Sequence, residues 1–185
     1  MGEKRLQIVL ADQAGFCMGV RRALKLTLDA ANDPDTPKPI ATVGPLIHNR
    51  QVLEVMRSKH VRVLREDGAE AQGTAVVRAH GISPQQRQRL ERSAELVLDA
   101  TCPHVRKVQE IAEKYCAENW HCVIVGDAGH AEVEGVMSHT RGRGVVVSCV
   151  EDLDGLPDMD RVVVVAQTTQ DEDLFARVVE RVRRR

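Results

Sequence analysis

The sequence predicts an α/β protein made of two similar small parallel-sheet units, and three observations carry that prediction. The apolar runs are short, rich in Val, Leu and Ile, and nearly continuous, as strands buried on both faces of a parallel sheet tend to be. They alternate with stretches of helical length, the pattern of a parallel sheet joined by crossover helices. A weak repeat sets Cys17 and Cys102 at equivalent points, each after a strand-like run and before a helical one.

Taken in order, the first strand is expected over residues 6–11, around Ile8, Val9 and Leu10, and a helix over 20–31. Pro34, Pro37 and Pro39 then mark a surface loop between helix and strand. Strand 40–43 leads to helix 49–58, strands 61–64 and 74–78, helix 84–93 and strand 96–99. The second unit continues with helix 105–118, opened by Pro103, whose missing N–H suits a first helical position. Strand 122–125, helix 130–139, strands 145–148 and 162–166, and helix 171–183 complete it. The boundary is expected near residue 95, giving units 1–95 and 96–185 with about four strands each. No Gly/Ser/Pro-rich linker stands there, so the two should pack directly.

Composition narrows the function classes. Apolar residues make up 43% and charged ones 29%, as in a soluble globular protein. One Trp, one Tyr and two Phe leave the core to aliphatic side chains. A net charge of −1 offers no global footprint for nucleic acid, and the basic end at Arg181 and Arg183–Arg185 reads as a solvated helix terminus. No apolar run approaches the roughly 20 residues that span a bilayer. Without a secretory leader pattern, a cytoplasmic location is the expectation. The five cysteines are an odd set without finger-like spacing, so a disulfide framework is not expected. Cys116 and Cys122 read as core, and Cys149 lies just past a strand.

The reactive side chains gather where strands end. Cys17 lies in Gly15-Phe16-Cys17-Met18-Gly19-Val20, and Cys102 precedes Pro103. A helix N-terminus stabilises a thiolate, the form that metals bind. His48, His80 and His130 each follow a strand, Glu132 lies two residues after His130, and the last strand runs into Gln167-Thr168-Thr169. Alone, each cysteine reads as a small buried hydrophobe and each histidine as a hydrogen-bonded structural residue. Together, at the carboxyl ends of parallel strands where such sheets bind ligands, they read as an anion pocket beside a metal site. Glu134 should face elsewhere. His60, His104, His121 and His139 have no partner motif.

The segments Gly-Phe-Cys17-x-Gly-Val, His48-Asn-Arg, Ala-His80-Gly, Asp-Ala-Thr-Cys102-Pro, Gly-His130-x-Glu132-Val-Glu-Gly and Gln-Thr168-Thr resemble the motifs of the 4-hydroxy-3-methylbut-2-enyl diphosphate reductases. The resemblance implies a trefoil of three α/β units around a 4Fe–4S cluster held by three cysteines. It implies an allylic diphosphate substrate and an electron-donor protein such as ferredoxin or flavodoxin. The products would be isopentenyl and dimethylallyl diphosphate of the methylerythritol phosphate route. By motif, Cys17 and Cys102 would be metal ligands, and His48, His80 and His130 would bind the diphosphate. Glu132 would be the catalytic proton relay, and Thr168 would orient the substrate hydroxyl. Only two of the three units are expected in this chain, and neither Cys116, Cys122 nor Cys149 matches the family's third ligand motif. Two other readings remain: a two-unit homologue acting as a binding or assembly module, and a zinc hydrolase with Cys and His ligands.

Overall fold

A computed structural model describes residues 7–12, 14–65 and 71–185. Two parallel sheets result. The first takes β1 (Ile40–Val43), β2 (Arg62–Leu64), β3 (Thr74–Val77) and β4 (Leu96–Asp99) in the order β2-β1-β3-β4. The second takes β5 (His121–Val125), β6 (Gly144–Val147) and β7 (Val162–Ala166) in the order β6-β5-β7. Every pairing is parallel, so each connection must return across a face. Helices α2 (Arg50–Ser58), α3 (Pro84–Ser93) and α5 (Ala131–Ser138) serve as crossovers. Helix α1 (Met18–Asn32) precedes β1, α4 (Pro103–Ala117) joins the sheets, and α6 (Glu172–Arg183) follows β7.

The period of two along the central strands explains the layering. On β3, Val76 faces a core shared with Ala23 and Ala30 of α1 and Val52 and Met56 of α2, while Ala75 and Val77 face Leu90 of α3. On β5, Cys122 and Ile124 pack on α4 and α5, whereas Val123 and Val125 meet Val178 of α6 and Leu153. Each such buried Val or Ile contributes roughly 1.5–3 kcal/mol of transfer free energy. This two-sided burial is why the strands read as continuous aliphatic runs.

Local chemistry sets where the helices begin. Asn49 caps α2 by accepting from the Val52 amide at 3.0 Å. Ser83 and Gln86 form a reciprocal capping box on α3, and Asp171 accepts from Leu174 to open α6.

Three expectations change. Residues 7–11 form no strand, and Ile8, Val9 and Leu10 are 77–82% exposed, because a strand needs a neighbour to bond and this run pairs with neither sheet; Leu6 lies outside the described residues. Strand β4, expected to open the second unit, pairs with β3 from Thr74↔Leu96 to Val77↔Asp99 and so completes the first sheet. The passage between sheets therefore falls in α4 rather than at residue 95, leaving four strands and three. A short 3₁₀ helix at Glu151–Gly155 also intervenes between β6 and β7. Among the described residues, no helix is long and apolar enough to cross a membrane.

Candidate active site

The hydrogen-bond ladder runs on past the strand ends and ties the functional loops together. The Cys102 amide donates to Ala79 O at 2.9 Å, placing the cysteine loop beside the His80 loop. The Gln167 amide donates to Val125 O at 2.9 Å, which sets the Thr168 loop beside the one leading to His130. Helix α4 leaves the end of β4 and packs on β5 and β7, and the loops that follow β1, β3 and β5 come together on one face.

Three imidazoles from three strand ends meet on that face. The His48 and His80 rings stack with centroids 6.0 Å apart, and His130 meets His80 edge-on at 5.5 Å. His130 is the N-cap of α5, and the Glu132 amide donates to its Nδ1 at 3.2 Å. With Nδ1 accepting, a neutral His130 carries its proton on Nε2, free to donate to an anion. His48, exposed, precedes the N-cap of α2, so two helix N-termini add positive partial charge to the cluster.

Glu132 is 3% exposed, yet its charge is met. The Thr168 amide donates to Oε1 at 2.7 Å, and the Thr168 hydroxyl donates to Oε2 at 2.9 Å. A buried carboxylate requires such donors. Thr168 is itself exposed, so it stands between the buried carboxylate and the open face. Gln167 braces this loop: its Oε1 accepts from the Asp127 amide at 3.1 Å, and its Nε2 donates to Thr169 Oγ1 at 2.9 Å. Glu134, on the opposite side of α5, is exposed as expected.

The two motif cysteines occupy matching positions. Cys17 is the N-cap of α1 and Cys102 the N-cap of α4, with neither side chain spent on a capping bond. Helix α1 approaches the Cys102 loop closely: a Cβ added at Gly19, two residues after Cys17, would stand 2.6 Å from Cys102 Sγ. Arg22 of α1 joins the same loop, its Nη1 donating to Thr101 O at 3.2 Å and its Nη2 to Asp99 O at 3.1 Å. Burial works against the Asp99 carboxylate, but the Thr101 hydroxyl and amide and the Arg106 and Arg87 guanidinium groups outweigh it and hold Asp99 below the usual carboxylate range. Arg22 lay outside the sequence motifs, whereas Asp99 opens the Asp-Ala-Thr-Cys102-Pro segment without a role assigned to it.

Two thiols at helix N-termini, neither used in capping, are the donor type that iron–sulfur clusters take. Among the described residues, no group of three or more His, Cys, Asp or Glu stands ready to hold a metal ion. Cys116 and Cys122 are core, as expected, and burial together with the neighbouring Cys116 pushes the Cys122 thiol up to about 12. Cys149 follows β6, its amide donating to Asp152 Oδ2 at 3.1 Å.

Comparison with known proteins agrees with the motifs. Residues 8–185 match the family model described as LytB protein. The 4-hydroxy-3-methylbut-2-enyl diphosphate reductase of Geobacter metallireducens is 38% identical over 174 residues, covering 94% of this chain and 61% of that protein. The reductase of the same name from Aquifex aeolicus is 38% identical over 179 residues, with the same two coverages. The chain thus spans about three-fifths of the length of these relatives. Among solved structures, a (E)-4-hydroxy-3-methyl-but-2-enyl diphosphate reductase, described as the terminal enzyme of the non-mevalonate pathway, superposes with a TM-score of 0.81 at 36% identity, covering 95% of this chain and 63% of that one. The E-1-hydroxy-2-methyl-but-2-enyl-4-diphosphate reductase of Plasmodium falciparum gives a TM-score of 0.81 at 28% identity, over 94% of this chain and 55% of that one.

Proposed function

The chain belongs to the LytB protein family, and from that premise we propose that it forms the diphosphate-binding and proton-handling part of a 4-hydroxy-3-methylbut-2-enyl diphosphate reductase. The reaction would take one substrate, two electrons and two protons to isopentenyl or dimethylallyl diphosphate and water. The observation that carries this reading is the meeting of three imidazoles from three strand ends beside a buried carboxylate reached through one hydroxyl.

In this reading, His48, His80 and His130 grip the diphosphate, with His130 donating from Nε2. The N-termini of α2 and α5 favour the same negative charge. The Thr168 hydroxyl donates into Glu132 and keeps lone pairs for a substrate hydroxyl. Once Glu132 takes up a proton the bond reverses: its carboxyl donates to Thr168 Oγ1, and the Thr168 proton passes to the substrate hydroxyl, which departs as water when the C–O bond breaks. Cys17 and Cys102 are the thiols that would help hold a 4Fe–4S cluster, which when bound supplies the electrons and a Lewis-acidic iron. A ferredoxin or flavodoxin fits the class of electron donor such a site needs.

The test is anaerobic reconstitution with iron and sulfide, read by Mössbauer spectroscopy and by iron and sulfide content, followed by turnover with a chemical reductant. A cluster signal lost in both Cys17→Ser and Cys102→Ser, with turnover lost in Glu132→Gln, supports the reductase reading. Cysteine-dependent cluster without turnover favours the binding-module reading. Iron uptake indifferent to both cysteines refutes the cluster assignment.

A further inference from the structure

We propose that Gln109, on the helix that joins the two sheets, is a positioning residue that sets His80 against His130 and Glu132. The inference rests on the diphosphate reading of the histidine cluster and adds a residue that the motifs do not contain.

Gln109 is a polar side chain only 6% exposed in the middle of α4. A buried amide requires partners, and its Nε2 donates to the His80 carbonyl at 3.3 Å. Two glycines make room for it, one from each sheet. Gly81, next to His80 and at φ +76°, would place a Cβ 2.7 Å from Gln109 Nε2. Gly135, one turn after Glu132 on α5, would place one 3.1 Å from the same nitrogen and 3.2 Å from His80 O. The amide therefore fills a slot where the His80 loop, α4 and the helix carrying Glu132 come within contact of one another.

This explains why both glycines are needed. Gly81 permits a left-handed turn that an L side chain rarely adopts, and Gly135 lets α5 approach the His80 backbone. With the amide in place, the His80 carbonyl has one direction, and so does the ring that follows from the same backbone. The rings of His48 and His130 flank His80, so a rotation of the His80 loop would open the cluster on both sides. The bond itself is long and its net worth small; its consequence is geometric.

The test uses the full chain and inorganic pyrophosphate, measured by isothermal titration calorimetry. Gln109→Met keeps the length of the side chain and removes the donor. With the His80 ring misdirected, its own hydrogen bond to pyrophosphate should be lost, and the variant should bind roughly 3- to 10-fold more weakly, the factor one net hydrogen bond implies. Its melting midpoint should stay within a few degrees of the parent. In ¹⁵N spectra the His80 imidazole signals should move while those of His60 do not, a response that plain loss of packing would not confine to His80. Gly135→Ala, which crowds the same slot while favouring helix, should move the same His80 signals and guards against a Met variant that fails to fold. Unchanged binding and His80 signals in Gln109→Met, alongside loss of binding in His80→Ala, would overturn the role of Gln109 and leave the histidine reading intact. A parent chain that does not bind pyrophosphate, or a His80→Ala variant that binds it normally, would overturn both.

Discussion

Replacing Gly19 by alanine tests the close approach of the two cysteine-bearing helices. The added Cβ would stand 2.6 Å from Cys102 Sγ and 3.1 Å from Cys102 Cβ. A carbon–sulfur contact settles about 1 Å farther out, so either the thiol swings away or α1 shifts from the Cys102 loop. Rotation of a short, half-buried side chain is the cheaper response, whereas moving α1 would strain the Arg22 bonds to Thr101 O and Asp99 O. Overpacking costs about 1–3 kcal/mol, and a helix-favouring Gly→Ala change returns up to about 1 kcal/mol. The net loss should be about 1 kcal/mol, or roughly 2–4 °C in melting midpoint for a chain of this size. The larger effect should fall on the site: with Cys102 Sγ turned aside, iron and sulfide retained after anaerobic reconstitution should drop well below the parent value. Differential scanning calorimetry and metal analysis on the same sample separate the two effects. A Gly19→Ala protein with parental iron and sulfide content would refute the argument that Gly19 makes room for the Cys102 thiol.

Other consequences follow from the same geometry. Thr168→Val removes the hydroxyl donor to buried Glu132 but keeps the side-chain shape; loss of one bond to a carboxylate should cost about 2 kcal/mol, roughly 4–8 °C of melting midpoint. Because Asp99 is held below its ordinary range, its contribution to stability is present above the unfolded carboxylate value near 4 and fades as pH falls through the lower folded value. Asp99→Asn should therefore destabilise the protein at neutral pH and show a shallower acid loss than the parent in pH-dependent urea melts. Iodoacetamide at pH 8 should label exposed Cys17 in the native protein and spare Cys122, which reacts only after unfolding; mass spectrometry of tryptic peptides reads both.

The site was legible in the sequence wherever a residue type carries chemistry by itself. Cys102, His48, His80 and His130 follow strands whose local patterns are strong, so their placement past strand ends could be read without a structure, whereas the strand expected before Cys17 did not form. Glu132 could be told from Glu134 because helical spacing puts the two on different sides of α5. Gln109 and Arg22 could not be found that way. A glutamine or an arginine in a helix is an ordinary surface residue until the contacts are known. No local signal marks an amide seated between two glycines that are far apart in the chain.

The fold divides along the same line. Short-range information determined the elements: aliphatic runs set β1, β4 and β7 to the residue, and caps such as Asn49 and Ser83 set helix starts. Strand pairing is a long-range choice, decided by which backbone edges find partners. That choice drew β4 into the first sheet and left residues 7–11 extended and exposed despite a strand-like composition. By itself, the sequence determined the α/β class, the two parallel sheets and the chemical groups that line their carboxyl ends. Only the tertiary structure decided which strands share a sheet and which side chains hold those groups in place, because both depend on contacts between segments that no local pattern encodes.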